Sequence, residues 1–252
     1  MAAFSRAAAE QIAGELACDP NFVLAVADVE SGGRSDLPDG RPLILFEAHW
    51  FSNFTNHQYD GSHPRISSNG WNKALYLGGA AEYDRLAEAD TLDHVAAYKS
   101  ASWGLFQIMG FNFARCGFPD VDAFVNFVKG PNDNDMTAFV RFVKADNNML
   151  QAMRNKDSRT FARLYNGPGQ VDHYAAKIDA ALAAHAGGGA GHAVNDIAAI
   201  QAKLAAAGFD PGPVDGVWGQ KTHDALLAFQ LTRGLTVDGV VGPMTRKALG
   251  LA

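Results

Sequence analysis

Apolar residues recur at three- and four-residue spacing along most of the chain, broken by short polar, glycine-rich stretches, which predicts a mainly α protein. Phe4 to Ala17 puts Ile12 and Leu16 on one side of a helix. Asp19-Pro20 opens the next, with Asp as N-cap and Pro at the first helical position, where its missing N–H costs nothing. Phe22, Val23, Val26, Ala27 and Val29 line its apolar stripe, Glu30 falls in its last turn, and Gly32 or Gly33 supplies the left-handed residue that ends it. After the tight-turn signal Asp39-Gly40, the run Leu43-Ile44-Leu45-Phe46 predicts one strand of a small local hairpin, with Glu47 at its end. Two helical runs follow between Lys73 and Tyr98, with Leu75, Tyr76, Leu86, Leu92, Val95 and Ala96 as core candidates. Phe111 to Leu150 reads as packed helices interrupted near Gly130-Pro131, with Phe111, Phe113, Phe118, Phe124, Phe127, Phe139 and Phe142 assigned to core. Leu164 to Gly169 ends a helix in a turn, and a last helix runs from Val171 to about Ala184.

At His185 the pattern changes. Ala-His-Ala-Gly-Gly-Gly-Ala-Gly-His-Ala has no apolar periodicity and reads as a flexible linker over 185–193. Beyond it lies an internal repeat. Asp215-Gly216-Val217-Trp218-Gly219, then Thr222 and Ala225-Leu226, recurs 23 positions later as Asp238-Gly239-Val240-Val241-Gly242, then Thr245 and Ala248-Leu249. Each copy sets glycine turns before a Thr-started helix, so 194–252 is a small module of short helices, and 1–184 is the larger domain.

With 48% apolar and 19% charged residues the chain has the composition of a globular protein. A net charge of −6 and the lack of a Lys/Arg block argue against a nucleic-acid partner. No apolar run is long enough to span a bilayer, and Met1 to Ala17 carries Arg6, Glu10 and Glu15, unlike a signal peptide. Cys18 and Cys116 are too few for a disulfide framework and read as buried small hydrophobes of a reducing cytoplasm. The histidines (His49, His57, His63) lack zinc-peptidase spacing, so neither a metal nor another cofactor is expected.

Candidate chemistry centres on Glu30. A carboxylate at a helix C-terminus, beside an apolar face, is disfavoured as an anion by both the dipole and desolvation. A Glu kept protonated near neutral pH can donate to the leaving oxygen of a glycosidic bond; the bland alternative is an exposed Glu before a glycine cap. Glu47 is the candidate second carboxylate across a cleft, with Asp36 and Asp39 as competitors, although Asp39 also reads as a turn former and Asp36 as a solvated loop residue. The aromatic-rich stretch from His49 to Trp71, with Trp50, Phe51, Phe54 and Tyr59, reads as a loop region that offers faces for sugar rings or simply fills a core. Gln107, a lone amide in Gly104-Leu105-Phe106-Gln107-Ile108-Met109, must find buried partners or face a cleft.

Three separated pieces, Glu30-Ser31-Gly32-Gly33, Gly104 to Met109 and Tyr165-Asn166-Gly167-Pro168, resemble the signature blocks of the lysozyme-like superfamily. With Ile44-Leu45-Phe46-Glu47 and Ser100-Ala101-Ser102-Trp103-Gly104, the fuller pattern is similar to the N-acetylmuramidase domain of phage endolysins. The C-terminal repeat resembles the peptidoglycan-binding domain type 1. The resemblance implies a lysozyme-like helical domain with a small β-hairpin plus a small three-helix binding domain. It implies a muramidase with Glu30 as catalytic acid, Glu47 as base, substrate contact or strand-end residue, and Gln107, Tyr165 and Asn166 lining the saccharide cleft. Tyr-Asn-Gly-Pro, where lytic transglycosylases usually show Tyr-Asn-Ala-Gly, tilts the expectation to hydrolysis, with a lytic transglycosylase as the alternative. The expected partner is bacterial peptidoglycan, with no nucleic acid or membrane, for a monomer that waits in the host cytoplasm until a holin pore or lysis releases it to the wall.

Overall fold

The computed structural model describes residues 4–130, 133–187, 194–216, 220–237, 239, 241 and 243–251. Two compact units divide the chain, Met1–Ala181 and Leu182–Ala252.

The first unit opens with two helices packed on each other. Ser5 caps α1 (Arg6–Leu16) by accepting from Ala8 N, and Ala17 ends it in the left-handed region. Asp19 caps α2 (Pro20–Ser31) by accepting from Asn21 N at 2.8 Å, and Gly32 closes it at φ 64°. Phe22 through Ala27 are all buried, so α2 is apolar almost all round, the pattern of a central helix. Glu30 follows this stretch by one turn, at the point where the helix leaves the core.

Eight more helices and a small sheet follow: α3 (Ala48–Phe54), α4 (Ala81–Asp90), α5 (His94–Lys99), α6 (Val121–Val128), α7 (Asp133–Lys144), α8 (Asn147–Arg154), α9 (Ser158–Tyr165) and α10 (Val171–Gly187). Asp93, Asp120, Asp146 and Asp157 each accept from a first-turn N–H and so fix where α5, α6, α8 and α9 begin.

The local hairpin expected around Asp39-Gly40 is present as a minimal one, and a long-range sheet follows it. The hairpin turn is closed by Leu37 N to Arg41 O at 2.7 Å and an Asp36–Pro42 bridge. The hairpin extends only one bond further, from Leu43 N to Ser35 O at 2.7 Å, and builds no longer ladder of its own. Instead β1 (Ile44–Phe46) runs antiparallel to β2 (Ala101–Trp103), with Ile44 opposite Trp103, and β2 pairs in turn with β3 (Ile108–Met109).

Several core assignments also change. Val95 is 46% exposed, because α5 turns that position to solvent while Ala96 and Ala97 face inward. Phe124, Phe139 and Phe142 are buried, but Phe111, Phe113, Phe118 and Phe127 are half-buried, and Phe111 joins the wall of a cleft. Cys116 is buried; Cys18 is only half-buried.

Of the segment expected as a linker, 185–187 continue α10 and 188–193 lie outside the described residues, as does Trp218. The second unit contains α11 (Val194–Ala206), α12 (Gln220–Thr232) and α13 (Pro243–Leu249) around Ile200, Leu204, Leu226, Phe229 and Leu249. The sequence repeat becomes a repeated clasp. Gln201 Oε1 accepts from Gly216 N at 2.9 Å while its Nε2 donates to Thr222 Oγ1 at 3.2 Å and Asp215 Oδ1 at 3.0 Å. Likewise Gln230 Oε1 accepts from Gly239 N at 2.9 Å and its Nε2 donates to Thr245 Oγ1 at 3.3 Å. Both glutamines are fully buried, so these bonds hold the turns onto the helices.

Candidate active site

In the first unit the end of α2, the end of β1, the start of α3, the β2–β3 turn, the end of α9 and one face of α10 enclose a cleft of about 680 Å³. Glu30, Glu47, Gln107, Tyr165 and Asn166 all border it. Side chains that are 136 residues apart in sequence, Asn166 and Glu30, meet there: Asn166 Nδ2 donates to Glu30 Oε1 at 3.1 Å.

Enclosure by protein pushes the Glu30 carboxyl up to about 7, against the smaller opposing pulls of the Asn166 amide and the Lys177 charge. Its place in the last turn of α2, at the negative end of the helix dipole, acts in the same direction as burial. The carboxyl therefore holds its proton to a higher pH than an ordinary glutamate does.

Glu47, between β1 and α3, lines the same cleft. Tyr76 Oη donates to its Oε2 at 2.6 Å, and His49 Nδ1 lies 3.2 Å from the same oxygen. Burial and then the neighbouring Glu47 charge raise the Tyr76 phenol, so it stays a donor. Burial, and then the charges of Glu30 and Glu47, raise the Tyr174 phenol on α10, so a neutral hydroxyl also lines the cleft. Asp39 and Asp36 do not join this group of cleft-lining residues. Asp39 holds Arg41 in the turn at 2.6 Å, and Asp36 accepts from Ser35 Oγ.

The remaining sequence candidates divide by how their polar atoms are used. Gln107 lines the cleft, yet its amide is engaged internally: Oε1 accepts from Ser102 Oγ at 2.7 Å, and Nε2 donates to Gly104 O at 2.7 Å and Leu43 O at 3.2 Å. It holds the β2–β3 turn, itself adopting φ 48°. Tyr165 Oη donates to Phe106 O at 2.6 Å, and its ring stacks on Phe161. Asn166 Oδ1, buried, has no hydrogen-bond partner.

Two supports were missed in the sequence. Asp135 on α7 lies beneath Gly104, where any Cβ would overlap its carboxylate, and accepts from Leu105 N at 3.1 Å. Burial pushes its carboxyl up to about 7. Glu82 and Arg85 on α4 form a fully buried pair at 2.8 Å. Glu82 accepts from Phe46 N, Leu77 N and Gly78 N, while Arg85 donates to Phe46 O and Arg65 O. The pair thus grips the residue before Glu47 and the segment after Tyr76. A Glu and an Arg three apart on a helix ordinarily mark a solvated face, so no sequence signal separates them from surface charges. Among the described residues no group of three or more His, Cys, Asp or Glu side chains is arranged to hold a metal ion.

Residues 19–186, two-thirds of the chain, match the N-acetylmuramidase family. The chain belongs to that family. The peptidoglycan binding domain family matches residues 194–249. A solved structure, that of the Burkholderia AP3 phage endolysin, is 39% identical and superposes with a TM-score of 0.62 over 72% of this muramidase-family chain and 71% of that one. Shorter similarities join it to the N-acetylmuramoyl-L-alanine amidase CwlM of Mycobacterium tuberculosis, 46% identical over 55 residues, and to a spore cortex-lytic enzyme of Bacillus cereus, 44% identical over 54 residues. Those segments are 22% and 21% of this chain and span only 14% and 21% of the two relatives' lengths.

Proposed function

We propose that the protein hydrolyses the β-1,4 bond between N-acetylmuramic acid and N-acetylglucosamine in bacterial peptidoglycan, with Glu30 as general acid. The observation that carries this reading is the enclosed Glu30 carboxyl, pushed up to about 7 at the edge of an open cleft. A proton passes from Glu30 to the glycosidic oxygen as the bond from the sugar's anomeric carbon breaks, leaving an oxocarbenium-like centre. Water adds to that carbon and gives up a proton to Glu47, whose carboxyl Tyr76 and His49 orient. Asn166 orients the acid, while Gln107 and Tyr165 hold the walls on which the saccharide lies.

The second unit supports the same substrate. Residues 194–249, of the peptidoglycan binding family, hold the wall and keep the catalytic unit at high local concentration beside it. We place the site of action at the cell wall, reached on release from the host cytoplasm; among the described residues no helix is long and apolar enough to cross a membrane.

Mass spectrometry of fragments released from purified peptidoglycan tests this reading. Reducing muramic acid ends from wild type, lost with Glu30→Gln, are the expected result. Anhydro ends would make the enzyme a lytic transglycosylase, and unchanged release by the variant would remove Glu30 from the mechanism.

A further inference from the structure

Trp71 lines the cleft with its indole 56% exposed, unusual for so large an apolar group. It meets Tyr76 edge to face, with ring centroids 6.3 Å apart at 71°. Trp50, on the same cleft, is differently placed: Phe54 stacks on it at 5.8 Å and Phe111 packs at 4.8 Å, so its ring is already occupied.

The segment carrying Trp71 is braced on both sides. Ser68 Oγ donates to Gly70 O at 3.1 Å, and Asn72 Oδ1 accepts from Ala74 N at 3.0 Å. Further on, Leu77 N and Gly78 N donate to the buried carboxylate of Glu82 at 2.7 and 2.9 Å. Between these anchors Tyr76 reaches Glu47. An exposed ring on a fixed support has already lost much of the freedom that binding would otherwise remove. Its exposure also means that it contributes little to folding, so its presence is not explained by the core.

We propose that Trp71 is a saccharide platform at the rim of the cleft, taking the apolar C–H face of an N-acetylhexosamine ring beside the bond that Glu30 and Glu47 address. A pyranose ring has an apolar face and a polar rim; the indole offers its flat apolar surface to the first, while its N–H is engaged with the Tyr76 hydroxyl. The platform rests on the muramidase reading above, and it names the aromatic contact that the reading leaves open.

The test is steady-state cleavage of solubilised glycan strands by the full chain, comparing wild type with Trp71→Ala and Trp71→Phe, alongside thermal unfolding. Expected for Trp71→Ala is an apparent KM raised about tenfold, kcat within about twofold and an unchanged unfolding midpoint, with Trp71→Phe recovering much of the KM. An unchanged KM in Trp71→Ala would overturn the platform. So would a loss confined to kcat, which would make Trp71 a support for Tyr76 and Glu47. Wild-type cleavage by Glu30→Gln would bring down the acid assignment alone, and an unchanged Trp71→Ala beside an inactive Glu30→Gln would bring down the platform alone.

Discussion

Glu82 and Glu30 are two glutamates enclosed by the same unit, and their surroundings differ in kind. Glu82 is completely buried and receives Phe46 N, Leu77 N, Gly78 N and the Arg85 guanidinium, at 2.7 to 3.2 Å. Glu30 opens onto a cleft and receives the Asn166 amide at 3.1 Å. The first carboxylate has its lone pairs filled by backbone and a fixed cation, so it acts as a brace. The second is enclosed without being fully solvated by protein, and its carboxyl rises to about 7. A carboxyl becomes a usable acid when burial outruns hydrogen bonding, and a fixture when hydrogen bonding keeps pace.

The largest effect expected from this contrast is at Glu30. Glu30→Gln keeps an acceptor for Asn166 but cannot deliver the proton, and glycan cleavage is expected to fall by about 10²–10⁴-fold with the fold intact, as measured by product release and circular dichroism. Wild-type rates would place both glutamates in the structural class.

Next is Glu82→Ala, expected to cost about 3–5 kcal/mol in urea unfolding because it strands the Arg85 charge in the core. Exchanging the whole pair for Met and Leu is not expected to restore stability, since Phe46 N, Phe46 O, Leu77 N, Gly78 N and Arg65 O would all lose partners. Full recovery in the double variant would show that the pair braces nothing.

A smaller effect is expected in the second unit. Gln230→Ala leaves Gly239 N and Thr245 Oγ1 without their amide and is expected to cost about 1–3 kcal/mol. Retention on purified cell wall should weaken while cleavage of soluble glycan strands is retained; equal losses in both assays would contradict the separation of roles.

The subtlest test is pH. The Asn166 amide favours the ionised form of Glu30, so Asn166→Ala should raise that carboxyl further and carry the alkaline limb of activity above its wild-type position near pH 7. Stability follows the same proton. The folded carboxyl binds its proton more tightly than the unfolded one at 4.5, so its contribution is complete below pH 4.5 and is lost as the pH rises through about 7. Glu30→Gln should flatten that part of a stability–pH curve, and an unaltered slope would place the titration elsewhere.

How legible the site was depended on the range of its interactions. Asp19, Pro20 and Gly32 mark both ends of α2 through caps that act within a few residues, so the position of Glu30 in its last turn could be read directly. The strand at Ile44–Phe46 was equally legible as a strand, but its partner lay at Ala101–Trp103, beyond the reach of turn signals. Gln107 was recognisable as an amide in need of partners; only the fold showed that Leu43, Ser102 and Gly104 supply them. Asp135 and the Glu82–Arg85 pair were not legible, since an acidic or basic residue on a helix has the same sequence appearance whether it faces water or a core.

The sequence by itself determined the mainly helical class and both ends of α2, because apolar periodicity and capping are local and survive in any context. The tertiary structure decided which carboxyl is enclosed with one donor and which with four, because desolvation and hydrogen-bond supply depend on groups brought together from distant parts of the chain.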